Sequence, residues 1–443
     1  MPSPASVGGF PYYPVEFTKD GVVARQDEIA AVLNALAPSA DAALFSDLVV
    51  ISHGWNNDIP EAEQLYAAIF SAVQQVLPLA NPACDAVRAR RVAVLGVHWP
   101  SKKFDDASLI PGGAAAMPGD DDGTAAAAAI DRLAAFIDTP DSAQALARAR
   151  TLVAGLADSV DARDEFVRIV RAFMPHGAND EEPVIPNDLY TLDGDELLRR
   201  MSRPAQDGAS SMGGAAGLGA WFGKVADGAR NLANLVTYYQ MKARAGAIGQ
   251  GGVYDMLRRI RQERPADGPS PLRLHLIGHS FGARLVTAAA AGPVGAPPLP
   301  VDSLVLLQAA FSHYGFAMSY DGTHDGFFRR VLTDPGRVRG PLAITFTSKD
   351  KAVGLAYPIA SRIARQIAAA LGDAKDPYGG LGRNGAQKTP GAQTVTLAAP
   401  GTAYGFAPRG IYNLDGNAVI GGHSDLAHAE IGYAIVSAMA TMA

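Results

Sequence analysis

Short apolar runs closed by turn residues recur along the chain. Residues 48–52 (LVVIS) end at His53-Gly54, residues 91–99 (RVAVLGVHW) at Pro100, and residues 272–277 (LRLHLI) at a glycine. Residues 301–307 and 342–346 continue the series. Runs of this length, rich in β-branched residues, read as buried strands of a mostly parallel sheet. Segments with helical spacing alternate with them, at 60–76, 280–291 and 351–371. Strand and helix in alternation predict an α/β layered fold, the sheet flanked by helices.

Residues 102–226 break this rhythm and hold no convincing strand. They open with a turn-rich loop, 110–123, containing Asp120, Asp121 and Asp122. The best helical candidate is 164–174, where Phe166, Val167, Ile169, Val170, Phe173 and Met174 share one face. Residues 210–223 are rich in Gly and Ala. The pattern predicts a core made of 1–101 and 227–443 with a largely helical insertion at 102–226. Such an insertion serves as a lid or cap over a site, or as a bundle that only shields sheet surface. Residues 231–261 return to helical spacing, with a glycine break at 249–252.

Composition narrows the function classes. With 443 residues, 48% hydrophobic and 19% charged, the chain can bury a sizeable core and wholesale disorder is excluded. A net charge of -6 gives no electrostatic footprint for nucleic acid or an anionic membrane. The single cysteine, Cys84, allows no intramolecular disulfide and suits a reducing compartment. The start, MPSPASVGGFPYYP, lacks the basic and apolar regions of a secretory signal. No apolar run reaches the ~18 residues of a membrane span. The expectation is a cytoplasmic protein without stable membrane insertion, with signal-free export left open.

The strongest chemical signal is Gly278-His279-Ser280-Phe281-Gly282. It fits G-x-S-x-G, follows an apolar strand and precedes a helical segment, the strand–turn–helix setting of a nucleophile elbow. Glycines on either side let strand and helix approach closely. Ser280 is thus the candidate nucleophile, and Phe281 the source of one backbone N–H for an oxyanion. A second N–H is expected from a loop after an earlier strand. His53-Gly54-Trp55-Asn56-Asn57 leaves such a strand, which assigns Trp55.

A serine nucleophile needs a general base and a group that orients it. In the order Ser, Asp, His, the base is sought late in the chain. His423 follows two glycines on a loop before an apolar helix, 429–442, and is assigned the role. His428 is the runner-up, and His313 and His324 lie further back. Asp350, on the loop after strand 342–346, is the expected acid, with Asp321, Asp325 and Asp334 as rivals. Asp425 reads as a local cap, and His279 as a residue that packs beside the turn.

Three stretches, SHGWNND at 52–58, GHSFG at 278–282 and GGHSDL at 421–426, together with Trp99-Pro100, resemble a bacterial group within the α/β-hydrolase superfamily. The resemblance spans most of the chain except 102–226. It implies the α/β-hydrolase fold, an eight-stranded, mostly parallel sheet, and hydrolysis through an acyl-enzyme, but no substrate, because the superfamily includes esterases, lipases, thioesterases, peptidases and amidases. The triad reading leads to the expectation of cleavage of a carboxylic ester or thioester, with a small-molecule or lipid ester as partner and no organic cofactor or metal. A lipase or phospholipase working at membrane surfaces, with a lid around Trp221 and Phe222, is an alternative, and a catalytically silent binding scaffold another. Residues 380–385 fit G-x-G-x-x-G but follow no strand, so no dinucleotide site is expected. His423, Asp425, His428 and Glu430 lack the spacing of a metal site. The basic stretch 258–264 reads as the solvated face of a helix.

Overall fold

Nine strands form one sheet: β1 (Ala5–Val7), β2 (Phe10–Glu16), β3 (Asp47–Ser52), β4 (Val92–His98), β5 (Arg273–His279), β6 (Ser303–Leu307), β7 (Leu342–Phe346), β8 (Ala392–Thr396) and β9 (Ile411–Asp415). Their order is β1-β2-β4-β3-β5-β6-β7-β9-β8. Only β1 is antiparallel to its neighbour. The computed structural model describes residues 5–38, 44–101, 122–137, 140–175, 187–202, 218–267, 270–353 and 374–442. The architecture is α/β, as the alternating pattern predicts, but the strand count among the described residues is nine rather than eight. A two-residue Gly8-Gly9 turn, both at positive φ, folds the three residues of β1 onto the edge of β2.

The helices enter in chain order as α1 (Gln26–Leu36), α2 (Ile59–Val76), α3 (Pro82–Arg88), α4 (Asp122–Ile137), α5 (Pro140–Leu152), α6 (Val160–Arg171), α7 (Asn187–Thr191), α8 (Gly194–Met201), α9 (Leu218–Ile248), α10 (Tyr254–Glu263) and α11 (Phe281–Ala291). A C-terminal helix spans Ala429–Ala440. Every residue of β3 and β4 is buried, because helices cover both faces of the sheet. Val49 and Ile51 point to the face that carries α2 and the C-terminal helix, sharing a core with Tyr66, Phe70, Ile277, Leu414 and Ile435. Period-two alternation sends Leu48 and Val50 to the other face, and α11 packs on β3 and β5.

Local chemistry fixes where α2 starts. The Asp58 carboxylate accepts from the Glu61 N–H, and the Glu61 carboxylate accepts from the Asp58 N–H, both at 2.9 Å. This capping box stabilises the helix by about 1 kcal/mol and anchors the far end of the loop that leaves β3. The basic stretch 258–264 departs from its reading. Arg258 and Arg259 face outward, but Arg261 and Arg264 are buried. Arg261 pairs with Asp302 at 3.0 Å, and Arg264 donates to the Leu36 and Phe45 carbonyls.

The chain divides into two compact units. One comprises Met1–Lys102, Lys242–Val353 and Gly380–Ala443, and holds the whole sheet. The other comprises Lys103–Met241 and Gly354–Gly379. Its described residues carry helices and no strand. The boundary is read at 226 and the division into units comes at 241, both positions inside the 31-residue α9. In α6, Phe166, Val167, Ile169 and Val170 are buried, the face that the periodicity predicts. Residues 110–121, 203–217 and 354–371 lie outside the described residues, as do the side chains of Trp221 and Phe222.

Candidate active site

β5 ends in a turn whose backbone no ordinary residue adopts freely. Ser280 has φ 56° and ψ -122°. A positive φ at a residue with a Cβ costs about 1–3 kcal/mol and persists only where its surroundings hold it. Three hydrogen bonds do so. The Ser280 N–H donates to the Leu307 carbonyl, and the Ser280 carbonyl accepts from Ala283 and Ala310, all at 3.1 Å. The flanking glycines are required by contact. A Cβ on Gly278 would lie 2.4 Å from the Ala283 Cα, and one on Gly282 would lie 2.2 Å from the Ser52 carbonyl oxygen. Ser280 is therefore held at the N-terminus of α11, where helix N–H groups favour negative charge.

The place in the sheet also matters. Beyond β3 the chain adds β4 on one side, then crosses back to add β5 on the other. The C-terminal ends of β3 and β5 thus flank a point where strand order reverses, the usual position for a ligand crevice in an α/β sheet. The parallel register pairs Ser52 with Gly278, so the residues just beyond, Gly54 and Ser280, lie side by side. A Cβ on Gly54 would lie 2.6 Å from the Ser280 Cβ.

Ser280, His423 and Asp350 come together although they are far apart in sequence. His423 Nε2 lies 2.9 Å from Ser280 Oγ, and His423 Nδ1 lies 2.8 Å from Asp350 Oδ2. The carboxylate accepts at Nδ1, which assigns the ring proton there and turns the Nε2 lone pair toward the serine hydroxyl. The His423 side chain is 19% exposed and that of Asp350 is 0%. The second Asp350 oxygen accepts from the Val353 N–H at 2.9 Å. Thr347, on the loop leaving β7, donates to the Ile420 carbonyl at 3.2 Å, and the Ser348 hydroxyl donates to Asn417 Oδ1 at 2.7 Å. These bonds lace the acid-bearing loop to the histidine-bearing loop.

His53 is not a second base. Its Nε2 accepts from the Trp99 N–H at 3.3 Å and its Nδ1–H donates to the Gly54 carbonyl at 2.9 Å. Its ring stacks on Trp99 with centroids 5.6 Å apart. Burial pushes its pKa down to about 3, so it stays neutral. Ser101 completes the bracing: its hydroxyl donates to the Asn57 carbonyl, and its own carbonyl accepts from Asn56. Trp55 and Phe281, the expected amide donors, directly follow Gly54 and Ser280, and their rings lie 5.9 Å apart.

The rival residues have local partners. Asp321 accepts from the Thr323 and His324 N–H groups and pairs with the exposed His324 ring. Asp325 accepts from Ser319, and Asp334 accepts from Gly336 and forms an ion pair with Arg337. Asp425 accepts from the Gly421 N–H and from His428, so both residues stay within their own loop. His313 Nδ1 lies 3.2 Å from the Asn384 amide. Among the described residues no His, Cys, Asp and Glu group could hold a metal ion, and no helix is long and apolar enough to cross a membrane.

A second Ser, His and Asp set occupies the opposite, N-terminal end of the parallel strands. Ser303 Oγ lies 2.8 Å from His275 Nδ1, and His275 Nε2 lies 3.0 Å from Asp47 Oδ1. All three are fully buried, and Ser303 sits at the start of a regular strand with no turn to present it. Sequence reasoning missed the part His279 plays. Its Nε2–H donates to the His423 carbonyl at 3.0 Å, a contact across 144 positions that no local pattern announces. Comparison of the chain with protein-family models, with curated proteins and with solved structures finds no match.

Proposed function

We propose that the chain is a serine hydrolase of the α/β-hydrolase type that cleaves carboxylic esters or thioesters through an acyl-enzyme. One observation carries this reading. Two hydrogen bonds of 2.9 and 2.8 Å run from Ser280 through His423 to Asp350, and they end on a serine held in a strained turn at a helix start. A binding scaffold has no need to keep such a serine under strain.

In the proposed reaction Ser280 Oγ attacks the acyl carbonyl while its proton passes to His423 Nε2. The N–H groups of Trp55 and Phe281 stabilise the tetrahedral oxyanion. Asp350 stabilises the imidazolium through Nδ1–H and keeps the ring oriented. His423 then protonates the leaving alcohol or thiol as its bond to carbon breaks. Water attacks the acyl carbon and loses a proton to His423; the Ser280–acyl bond then breaks, His423 returns that proton to Ser280 Oγ, and the acid is released. His423 carries every proton that moves in this sequence, while Asp350 and the two backbone amides only hydrogen-bond.

The test is rapid-mixing turnover of p-nitrophenyl butyrate. The reading expects a burst of nitrophenolate matching the enzyme concentration, absent in Ser280→Ala. Hydrolysis that survives in Ser280→Ala overturns it.

A further inference from the structure

We infer that His279, the residue before the nucleophile, is a positioning residue that fixes the backbone of His423 and so aims its ring at Ser280. This deepens the function proposed above and rests on it. His423 lies in 416–428, a stretch without helix or strand, and follows two glycines. Asp350 holds its ring at Nδ1. The His279 Nε2–H holds its carbonyl at 3.0 Å. Fixing both the ring and the main chain leaves Nε2 one direction to face. The clamp is built on the elbow itself, so any movement of β5 carries nucleophile and base together.

Three further observations favour a dedicated donor over a residue that merely fills space. His279 is buried, yet its Nδ1 has no hydrogen-bond partner. An unsatisfied buried nitrogen costs about 1–3 kcal/mol, which an apolar side chain of similar size avoids. An imidazole is therefore kept for what its other nitrogen does. Second, burial pushes its pKa down to about 3, so the Nε2 proton and the neutral ring are maintained at working pH. Third, the two imidazole centroids lie 4.9 Å apart. A cationic neighbour there would oppose the positive charge that His423 takes up from Ser280, and a neutral one does not.

The experiment compares two isosteric amides. In His279→Gln the amide nitrogen reaches the Nε2 position; in His279→Asn it reaches only the Nδ1 position. Both variants and the wild type are inactivated with a fluorophosphonate, and the limiting rate is separated from the half-saturating concentration. Displacement of a reacting group by ~1 Å costs about 10²-fold, so His279→Asn is expected to lose roughly 10–100-fold in limiting rate. The half-saturating concentration stays unchanged, and His279→Gln recovers most of the rate. Equal rates in all three proteins, or equal losses in both variants, overturn the inference. A wild type that never reacts points instead to failure of the hydrolase reading. Histidine ¹⁵N spectra of the wild type give a check that needs no variant: His279 protonated at Nε2 agrees, and protonation at Nδ1 overturns it.

Discussion

Gly54→Ala adds a single methyl group between the β3 loop and the nucleophile. The new Cβ lies 2.6 Å from the Ser280 Cβ, 3.1 Å from Ser280 Oγ and 3.3 Å from His279 Nδ1. Carbon atoms rest at about 3.5–4.0 Å, so something moves by about 1 Å. Ser280 resists, because its backbone is tied to Leu307, Ala283 and Ala310. The β3 loop resists through His53, Trp99 and Ser101. Whichever yields, the hydroxyl and the Trp55 amide lose their mutual placement. A 1 Å misplacement costs about 10²-fold in rate, and overpacking about 1–3 kcal/mol of stability. The assay is kcat/KM for p-nitrophenyl butyrate beside a thermal unfolding midpoint. A fall of roughly 100-fold with a folded protein is expected. Activity within about twofold of wild type at an unchanged midpoint would refute the close approach of Gly54 to Ser280.

Other expectations follow from the same geometry. Asp350→Asn keeps the shape of the carboxylate but not its charge, and kcat should fall on the order of 10³–10⁴-fold; a loss below about tenfold contradicts the orienting role. Ser303→Ala, in the buried Ser303–His275–Asp47 set, should leave fluorophosphonate labelling unchanged, and lost labelling would mean that set is reactive. Burial holds His53, His98 and His279 neutral, with pKa values near 3, 4 and 3. In the unfolded chain each takes a proton at about 6.5. Their contribution is complete above that pH and is lost as pH falls toward the folded values, at about 1.4 kcal/mol per pH unit for each histidine. Thermal midpoints measured from about pH 8 to pH 5 should therefore drop on the acid side. His98→Gln should make the drop shallower, and an unchanged slope speaks against a neutral buried His98.

The five strands read from the sequence, β3 to β7, are buried on both faces, where burial forces continuous apolar runs. Three of the four missed strands lack that pressure, and the fourth, β9, is buried like β7. β2 carries Pro11 and Pro14 among aromatics, β1 is three residues long, and β8 is a largely exposed edge reading AQTVT. β9 interrupts its apolar pattern with the buried Asn413, whose amide bonds the Ala386 backbone. Ser280 was legible because its surroundings are local: strand, two glycines and helix within a few residues. His423 and Asp350 were legible through loop position and chain order. The bracing around them was not. His279 to His423, Thr347 to Ile420 and His53 to Trp99 are contacts between distant segments, and a single sequence carries no period that marks them. Arg261 and Arg264 were misread because charge suggests solvent, while both are buried against Asp302 or backbone carbonyls.

The central claim is that Ser280 is an activated nucleophile, and the most direct measurement is covalent labelling with a fluorophosphonate, followed by mass spectrometry to locate the adduct. The account predicts one adduct on Ser280, lost in Ser280→Ala and strongly slowed in His423→Ala, with both variants still folded. An unlabelled wild type, or an adduct on any other residue, would contradict it.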